Sequence, residues 1–229
     1  MFYQLNKGED YDINGINLKN WLNTYKANLT NLALEDTGAA TITNLTNLCY
    51  QFSNLQSIDF TNFNGSNITE CYRMVQECSN LTNISGINFP NCNNYRATFA
   101  KCTNLNYFPI KSEEFKNDTI YRYTYENCSK ITDDISNINV NNCEFSSCFI
   151  GVGSYNITNI MLTNCIINNG FSNMKNVQSI TNMTLEDCTY LGGLFKACNN
   201  LTNVSNFKIN LMNLPYSQQN LQQAFLRMQ

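Results

Sequence analysis

The chain is 229 residues long, with a formal net charge of −3, 11 cysteines, no histidine and, counted along the sequence, 42 asparagines. An apolar content of 43% can fill a sizeable core, so the chain is neither a disordered tract nor a disulfide-stapled miniprotein. The lack of histidine excludes Ser-His-Asp and Cys-His catalysis and the HExxH zinc site. The acidic balance argues against nucleic acid as a partner.

The first periodic apolar pattern lies close to the N-terminus. Its members recur at helical spacing and would form one apolar stripe of an amphipathic helix: Leu18, Trp21, Leu22, Tyr25 and Leu29. We therefore predict that residues 1–40 form an N-terminal cap with an amphipathic helix, which covers one end of the core.

A repeated signature runs through the middle of the chain. It reads Cys-Ser-Asn-Leu or a close relative, and its first residue, termed the anchor, falls at positions 52, 78, 102, 128, 148, 174 and 198. The mean step between anchors is about 24 residues, which is typical of leucine-rich repeats. Residues 41–210 are therefore predicted to form a solenoid of about seven irregular units.

Each unit is predicted to contain a short helix and a short strand. Before the first anchor, apolar residues at helical spacing i, i+3, i+4, i+7 are Leu45, Leu48, Cys49 and Phe52. After the second anchor the spacing changes to +3, +3, +2, ending on a strand-like pair, at Leu81, Ile84, Ile87 and Phe89. Neither element can bury its apolar side alone, so stacking of the units must supply the core.

A last apolar pattern lies at the C-terminus. Ser217, just after Pro215, is suited to cap a helix, and Leu221, Phe225 and Met228 would form its apolar face. We predict that residues 211–229 form a C-terminal helix that either caps the solenoid or docks a partner.

The repeat resembles a known family. The stretches 74–84 and 99–105, with the pattern Met-x-x-x-Cys-Ser-Asn-Leu-Thr-Asn and its variant Phe-x-x-Cys-Thr-Asn-Leu, resemble the BspA-like leucine-rich repeat. The likeness is closest to the version in mycoplasma lipoproteins and other microbial surface proteins. It implies a leucine-rich-repeat-type β-solenoid with helical caps that serves adhesion or recognition and carries no catalytic residues.

The resemblance implies display on a surface, but the sequence shows no export signal. No apolar run approaches the roughly 18 residues of a membrane span, and the first ten residues do not resemble a signal peptide. Similar repeats in phage virion proteins would reconcile display with a missing leader. We therefore expect a virion surface or an intracellular location rather than classical secretion, and no insertion into a membrane.

Five of the cysteines occupy anchor positions, which other units fill with Phe52 and Met174; they are Cys78, Cys102, Cys128, Cys148 and Cys198. This exchange indicates a buried slot that favours a small, soft side chain, and hence free core thiols in a structural ladder. The alternatives are a disulfide between Cys92 or Cys188 and the anchor cysteine of the same unit, or a metal site. No Cys-x-x-Cys pair supports the metal site.

Asparagine precedes the leucine or valine of the signature in five units, at Asn54, Asn80, Asn104, Asn176 and Asn200. A buried asparagine at a solenoid corner can satisfy backbone groups of its own turn and of the next. We predict a structural ladder at these positions, with a ligand role as the alternative.

Residues outside the apolar slots are candidates for partner binding. Five tyrosines fall into this class, Tyr72, Tyr107, Tyr123, Tyr155 and Tyr190, although a chain with 12% aromatic residues exposes some of them in any case. The densest charge cluster, at 111–118, interrupts the repeat and contains Glu113, Glu114 and Lys116. It is either a partner-binding or cation-binding loop or simply a solvated loop.

These features predict a non-catalytic recognition, adhesion or structural module without metal or cofactor. Its rigid face would bind protein or glycan partners on a host cell, or neighbouring subunits of an assembly, from a cell or virion surface. The alternative is an intracellular protein-interaction scaffold. A glycan-cleaving enzyme would need two carboxylates about 5 to 10 Å apart in an exposed groove, and the sequence assigns no such pair.

Overall fold

The chain coils into a β-solenoid of about seven turns, which confirms that part of the prediction. This architecture comes from a computed structural model, which describes residues 2–5, 16–36 and 42–211. One parallel β-bridge position recurs once in each turn, at Asn44, Glu70, Asn94, Ile120, Glu144, Ile166 and Thr189.

All strands of the described residues pair in parallel, in two sheets. The first sheet has the order β1 (Phe2–Leu5), β2 (Asn31–Asp36), β3 (Ser57–Asn62) and β4 (Asn83–Ser85). The second has β5 (Ile135–Ser136) and β6 (Asn139–Asn141) beside β7 (Asn156–Thr163), followed by β8 (Ser179–Glu186) and β9 (Asn203–Asn210). One α-helix, α1 (Ile16–Thr24), and two 3₁₀ turns, Gly65–Asn67 and Ser112–Glu114, complete the described elements.

The strands stack in register, so apolar residues of successive turns form columns in the core. Ile135 of β5 pairs with Ile157 of β7, which pairs with Ile180 of β8, and all three are buried. Since side chains alternate along a strand, this register places one apolar set inward in every turn. The repeat seen in the sequence thus becomes a continuous core.

The segments predicted as short helices are instead runs of linked turns, so that prediction is wrong. In the first run, Asn47 and Gln51 have φ angles of 58° and 62°, in the left-handed region. The N–H groups of Cys49 and Gln51 donate to the carbonyls of Met74 and Gln76 in the next turn, both at 2.8 Å. An N–H group used between turns cannot close a helical hydrogen bond, so the helix does not form.

The inward-facing set of these runs was nevertheless predicted from its spacing. Leu45, Leu48, Cys49 and Phe52 are all buried. The runs lie at 45–52, 71–78, 95–102, 121–128, 145–152, 167–174 and 191–198. We call the surface formed by their outward-facing side chains the turn face.

The fifth anchor is Val152 and not Cys148. Asn127 N–H donates to Ile150 O at 2.7 Å, and Gly151 N–H donates to Ser172 O at 3.1 Å, which aligns Val152 with the anchors of the neighbouring turns. The anchors therefore fall at 52, 78, 102, 128, 152, 174 and 198, which spaces them more evenly than the sequence prediction does. Cys148 lies earlier in its turn, outside the anchor column.

A stack of aromatic rings fills the core behind the turn face. It occupies the third position before the anchor and comprises Phe99, Tyr125, Phe149, Phe171 and Phe195. Neighbouring ring centroids are 5.2 to 6.0 Å apart, with interplanar angles of 9° to 25°. Offset stacking of this kind adds to the stabilisation from apolar burial. The contact between these rings follows from the register of the turns, which places Phe149 in the stack.

The N-terminal region combines a helix with strands. Helix α1 buries Leu18 and Leu22, whereas Leu29 is buried beyond its end and Tyr25 is exposed. The predicted cap region 1–40 also supplies β1 and β2 to the first sheet. The predicted C-terminal helix falls on residues 212–229, outside the described part of the chain. Within the described residues, no helix is both long enough and apolar enough to cross a membrane.

Candidate recognition face

Three of the four arginines in the sequence meet on the turn face, in three successive turns. Arg73 N–H donates to Arg96 O at 3.0 Å, and Ala97 N–H donates to Arg122 O at 2.9 Å. This register places Tyr72, Arg96 and Arg122 in one column along the solenoid axis. Neighbouring turns lie about 4.8 Å apart, so the three side chains are neighbours.

Each of these guanidinium groups stacks on a tyrosine ring. The Cζ atoms of Arg73 and Arg96 lie 4.8 and 5.4 Å from the ring centroid of Tyr72. Arg122 lies 5.0 Å from the ring of Tyr123. Cation–π contacts hold the planar groups in place while their N–H edges stay available for hydrogen bonds.

The carboxylates near this column are engaged with other groups. Glu144 pairs with Arg122 at 3.4 Å, and Glu77 pairs with Lys101 at 3.2 Å. The hydrogen bonds from Gln51 and Lys101 lower the pKa of Glu77. The hydrogen bond with the Tyr123 hydroxyl, followed by the nearby Glu144, raises the pKa of Arg122.

Arg73 and Arg96 differ from Arg122 because neither forms an ion pair within the described part of the chain. Two like charges therefore share the ring of Tyr72 without a counter-ion. We call Tyr72, Arg73 and Arg96 the arginine clamp. Repulsion between the two guanidinium groups makes the clamp a site at which an anion would be stabilised.

Three polar atoms on this part of the turn face are buried and have no hydrogen-bond partner among the described residues: Arg73 Nε and Arg122 Nε, which are donors, and Gln76 Oε1, an acceptor. Arg73 and Gln76 belong to one turn, closed by Gln76 N–H donating to Arg73 O at 3.4 Å. The amide orientation is set by Gln76 Nε2, which donates to Glu77 at 3.4 Å. Unpaired buried polar atoms are uncommon, and a water, an ion or a ligand group can complete their hydrogen bonding.

The clamp is confined to the first turns of the solenoid. At the matching outward positions, the later turns carry small uncharged residues: Ser146, Ser147, Asn168, Asn169, Gly192 and Gly193. The chemistry of the turn face therefore changes along the axis.

A family model described as "Mycoplasma protein of unknown function, DUF285" matches residues 43–161, just over half of the chain. The chain belongs to this family. The matched residues of this DUF285 protein include the whole arginine clamp. No curated protein matches the chain, and no solved structure matches it.

The structure places two of the five predicted tyrosines on the turn face beside arginines. Tyr72 and Tyr123 lie partly buried on the turn face of the DUF285 protein, each against an arginine. Tyr107 has a structural role, since its hydroxyl accepts from Ile84 N–H at 2.6 Å and bonds to Ile84 O at 2.7 Å. Tyr155 and Tyr190 are 44% and 68% exposed and lie outside the turn runs.

The charged insert is folded onto the solenoid. Phe115 is buried and stacks on Tyr121 at 4.2 Å. Glu113 is exposed, Glu114 accepts from Lys111 N–H at 3.0 Å, and Lys116 Nζ donates to the carbonyls of Phe89 and Pro90 at 3.1 and 2.9 Å. Glu114 and Lys116 line a cleft of about 260 Å³, whose floor includes Phe89, Tyr95 and Ile110. Their polar groups are thus already paired within the protein.

All eleven cysteines are buried, free thiols. Four anchor thiols donate to a backbone carbonyl of the preceding turn at 3.0 to 3.1 Å: Cys78, Cys102, Cys128 and Cys198. Burial raises the pKa of Cys78 and of Cys128 to about 12. A neutral buried thiol is a poor nucleophile, so these groups serve packing.

The two cysteines considered for disulfides lie elsewhere. Cys92 and Cys188 hydrogen-bond with the thiols of Cys71 and Cys165, and not with the anchor cysteines of their own units. No group of three or more metal-ligating side chains suited to an ion occurs among the described residues.

The predicted corner asparagines are partly or fully exposed, so the prediction that they are buried is wrong. Four still donate to the preceding turn: Asn54, Asn104, Asn176 and Asn200. Asn80 accepts from Asn104 at 3.3 Å. The corner asparagines face water, because the anchor and the leucine or valine after each asparagine fill the inward side of the corner.

A more regular asparagine ladder was missed from the sequence. Asn159 donates to Asn137 at 3.1 Å, Asn182 to Asn159 at 3.0 Å and Asn206 to Asn182 at 2.9 Å. All four have φ between 50° and 60°, and asparagine tolerates this left-handed region better than most residues. The signal that could have shown the ladder was the recurrence of these asparagines at nearly the same interval as the anchors.

Proposed function

We propose that this protein is a non-catalytic recognition module that binds its partner through the arginine clamp on the turn face. The observation that carries the proposal is the pair of guanidinium groups of Arg73 and Arg96 on one tyrosine ring, with no counter-ion among the residues that the structure describes. Arginine and tyrosine are enriched among the residues that dominate binding energies.

The backbone beneath the clamp supports this role because it is held in place. Cys71, Arg73 and Val75 donate backbone hydrogen bonds of 2.9 to 3.0 Å to the following turn. The stacked rings further restrict the arginine side chains. A site ordered before binding loses little conformational entropy when a partner arrives.

We propose in addition that the repeat is a relative of the BspA-like surface repeats and that the module acts in adhesion. Family membership and the Cys-Ser-Asn-Leu signature support this relationship. The same face would also serve an intracellular scaffold, and a cell-binding measurement separates the two roles.

The test measures binding of the fluorescently labelled full chain to cultured epithelial cells by flow cytometry. We expect saturable binding that falls about tenfold or more in the variant Arg73→Gln/Arg96→Gln, because two charge-assisted contacts are lost. The matched control, Lys196→Gln/Lys208→Gln, removes the same charge from later turns and should bind as the unmodified chain does.

Absence of saturable binding, or equal losses in the two variants, would overturn the proposal. Melting curves of both variants, followed by circular dichroism, show that the fold is retained.

A further inference from the structure

The structure gives the clamp a hydrogen-bonding pattern beyond its positive charge. Arg73 and Arg96 offer N–H donors, and Arg73 Nε is a buried donor without a partner. Planar guanidinium groups match the two oxygens of a carboxylate. The charged part of the ligand is therefore expected to be an oxyanion, of which a carboxylate is the planar case.

The second requirement comes from Gln76. Its Oε1 is a buried acceptor without a partner, in the same turn as Arg73. A carboxylate has no proton to donate at neutral pH and cannot satisfy this atom. The ligand must therefore also carry a donor, such as a hydroxyl group, a few ångströms from its carboxylate.

From these two requirements we infer that the clamp binds a carboxylate-bearing sugar of an acidic glycan. The carboxylate lies between Arg73 and Arg96, and a ring hydroxyl donates to Gln76 Oε1. One small ring supplies both groups at a short, fixed distance, whereas the donor nearest an aspartate or glutamate carboxylate is a backbone N–H on a flexible chain. The inference rests on the proposed function, since it names the ligand class of the same site.

The attraction for an acidic ligand is confined to the clamp. The formal net charge is −3, so the protein as a whole repels a polyanion and the clamp must supply the attraction. Arg122, in the same column, is neutralised by Glu144 and should contribute less.

The test compares three polymers in binding to the immobilised full chain at about 0.15 M salt. Hyaluronate carries carboxylates and hydroxyls, poly-L-glutamate carries carboxylates without hydroxyls, and dextran carries hydroxyls without charge. We expect hyaluronate to bind at least tenfold more tightly than the other two. Arg73→Gln should weaken its binding about tenfold or more, and Gln76→Met about three- to tenfold.

The variants also show which contact is lost. Gln76→Met should leave the weak binding of poly-L-glutamate unchanged, whereas Arg73→Gln should reduce it. Arg122→Gln is the matched control on the same face, and its effect on hyaluronate should stay below threefold.

Equal binding of poly-L-glutamate would assign the clamp to acidic polypeptides, and equal binding of dextran would assign it to neutral glycans. Either result, or no binding of hyaluronate, overturns the inference. If hyaluronate fails but cell binding still depends on Arg73 and Arg96, only the acidic-glycan inference is overturned. If cell binding does not depend on these arginines, the proposed function fails as well.

Discussion

The two halves of the solenoid share a core but differ in what they present. In the first half, turn runs 71–78 and 95–102 carry the arginine clamp, and strand β4 between them has only three residues. The later half has the eight-residue strands β7 to β9 in register, and serine, asparagine and glycine on its turn face. The most regular backbone and the charged surface are thus found at opposite ends.

The residue types at the inward and outward positions of each turn run therefore vary nearly independently of each other. The aromatic stack from Phe99 to Phe195 continues from one half into the other. Outward positions change from tyrosine and arginine to glycine over the same distance. A coil whose inward residues maintain the fold can vary its outward residues to make a binding site.

The largest expected effect comes from breaking the shared core. Phe149 stacks on Tyr125 and Phe171, so Phe149→Ala leaves a cavity between the two halves. We expect the free energy of unfolding to fall by about 3 to 5 kcal/mol. Urea unfolding followed by circular dichroism measures it. Tyr155→Ala, at an exposed position, is the control, and a loss below about 1 kcal/mol for Phe149→Ala would contradict a continuous core.

The next effect is specific to the regular half. Asn182 has a φ of 53° and bonds to Asn159 and Asn206. Asn182→Val places a β-branched residue in the left-handed region and removes both bonds, with an expected cost of about 2 to 4 kcal/mol.

Asn182→Gly, which tolerates that φ, should cost less than Asn182→Val in the same urea titration. Equal costs would mean that backbone conformation is unimportant there. Hydrogen exchange should show the loss mainly in β7 to β9 and not beneath the clamp.

The third prediction concerns pH and acts more strongly on the first half, where three anchor thiols follow one another at Cys78, Cys102 and Cys128. Burial raises the pKa of Cys78 and Cys128 from an ordinary 9.0 to about 12. Their stabilising contribution is complete below pH 9 and is lost as pH rises from about 9 to 12, because unfolded thiols ionise first.

At pH 10 each such thiol should lower the free energy of unfolding by roughly 1 kcal/mol. Urea midpoints between pH 8 and 10 measure how steeply the free energy of unfolding falls with pH. In the variant Cys128→Ala this fall should be smaller by the contribution of one thiol. An unchanged fall would show that Cys128 is not buried as a neutral group.

The smallest effect tests the independence of the outward positions. Arg96 is partly buried and forms no ion pair within the described residues, so Arg96→Gln should change the free energy of unfolding by less than about 0.5 kcal/mol. Arg122→Gln also removes the contact to Glu144 and should cost up to about 1 kcal/mol. If Arg96→Gln were the more destabilising of the two, the clamp would be a structural feature of the first half.

Much of the inward-facing set was predictable from the sequence. A spacing of i, i+3, i+4, i+7 places the same residues on one side of the segment, whether it forms a helix or a run of linked turns. That spacing cannot distinguish a helix from linked turns, since Leu45, Leu48, Cys49 and Phe52 lie inward in both. The turns prevail because the N–H groups of Cys49 and Gln51 find carbonyls in the next coil. Such partners are distant in sequence.

The candidate site was predicted only in part. Tyr72 and Tyr123 were identified because they lie outside the apolar slots, but no local pattern pointed to Arg73, Arg96 or Gln76. These residues are neighbours because hydrogen bonds between successive turns keep the turns in register. A small error in the register, as at Cys148, is enough to assign the wrong neighbours.

The repeat length, the number of turns and the apolar side of each turn can all be derived from the sequence alone. These follow from spacing and residue type, which act locally and repeat. Three features arise only in the folded chain: the left-handed turns, the exposed corner asparagines and the contact of Arg73 and Arg96 with Tyr72. Those features depend on contacts between turns, where one residue of register decides which side chains meet.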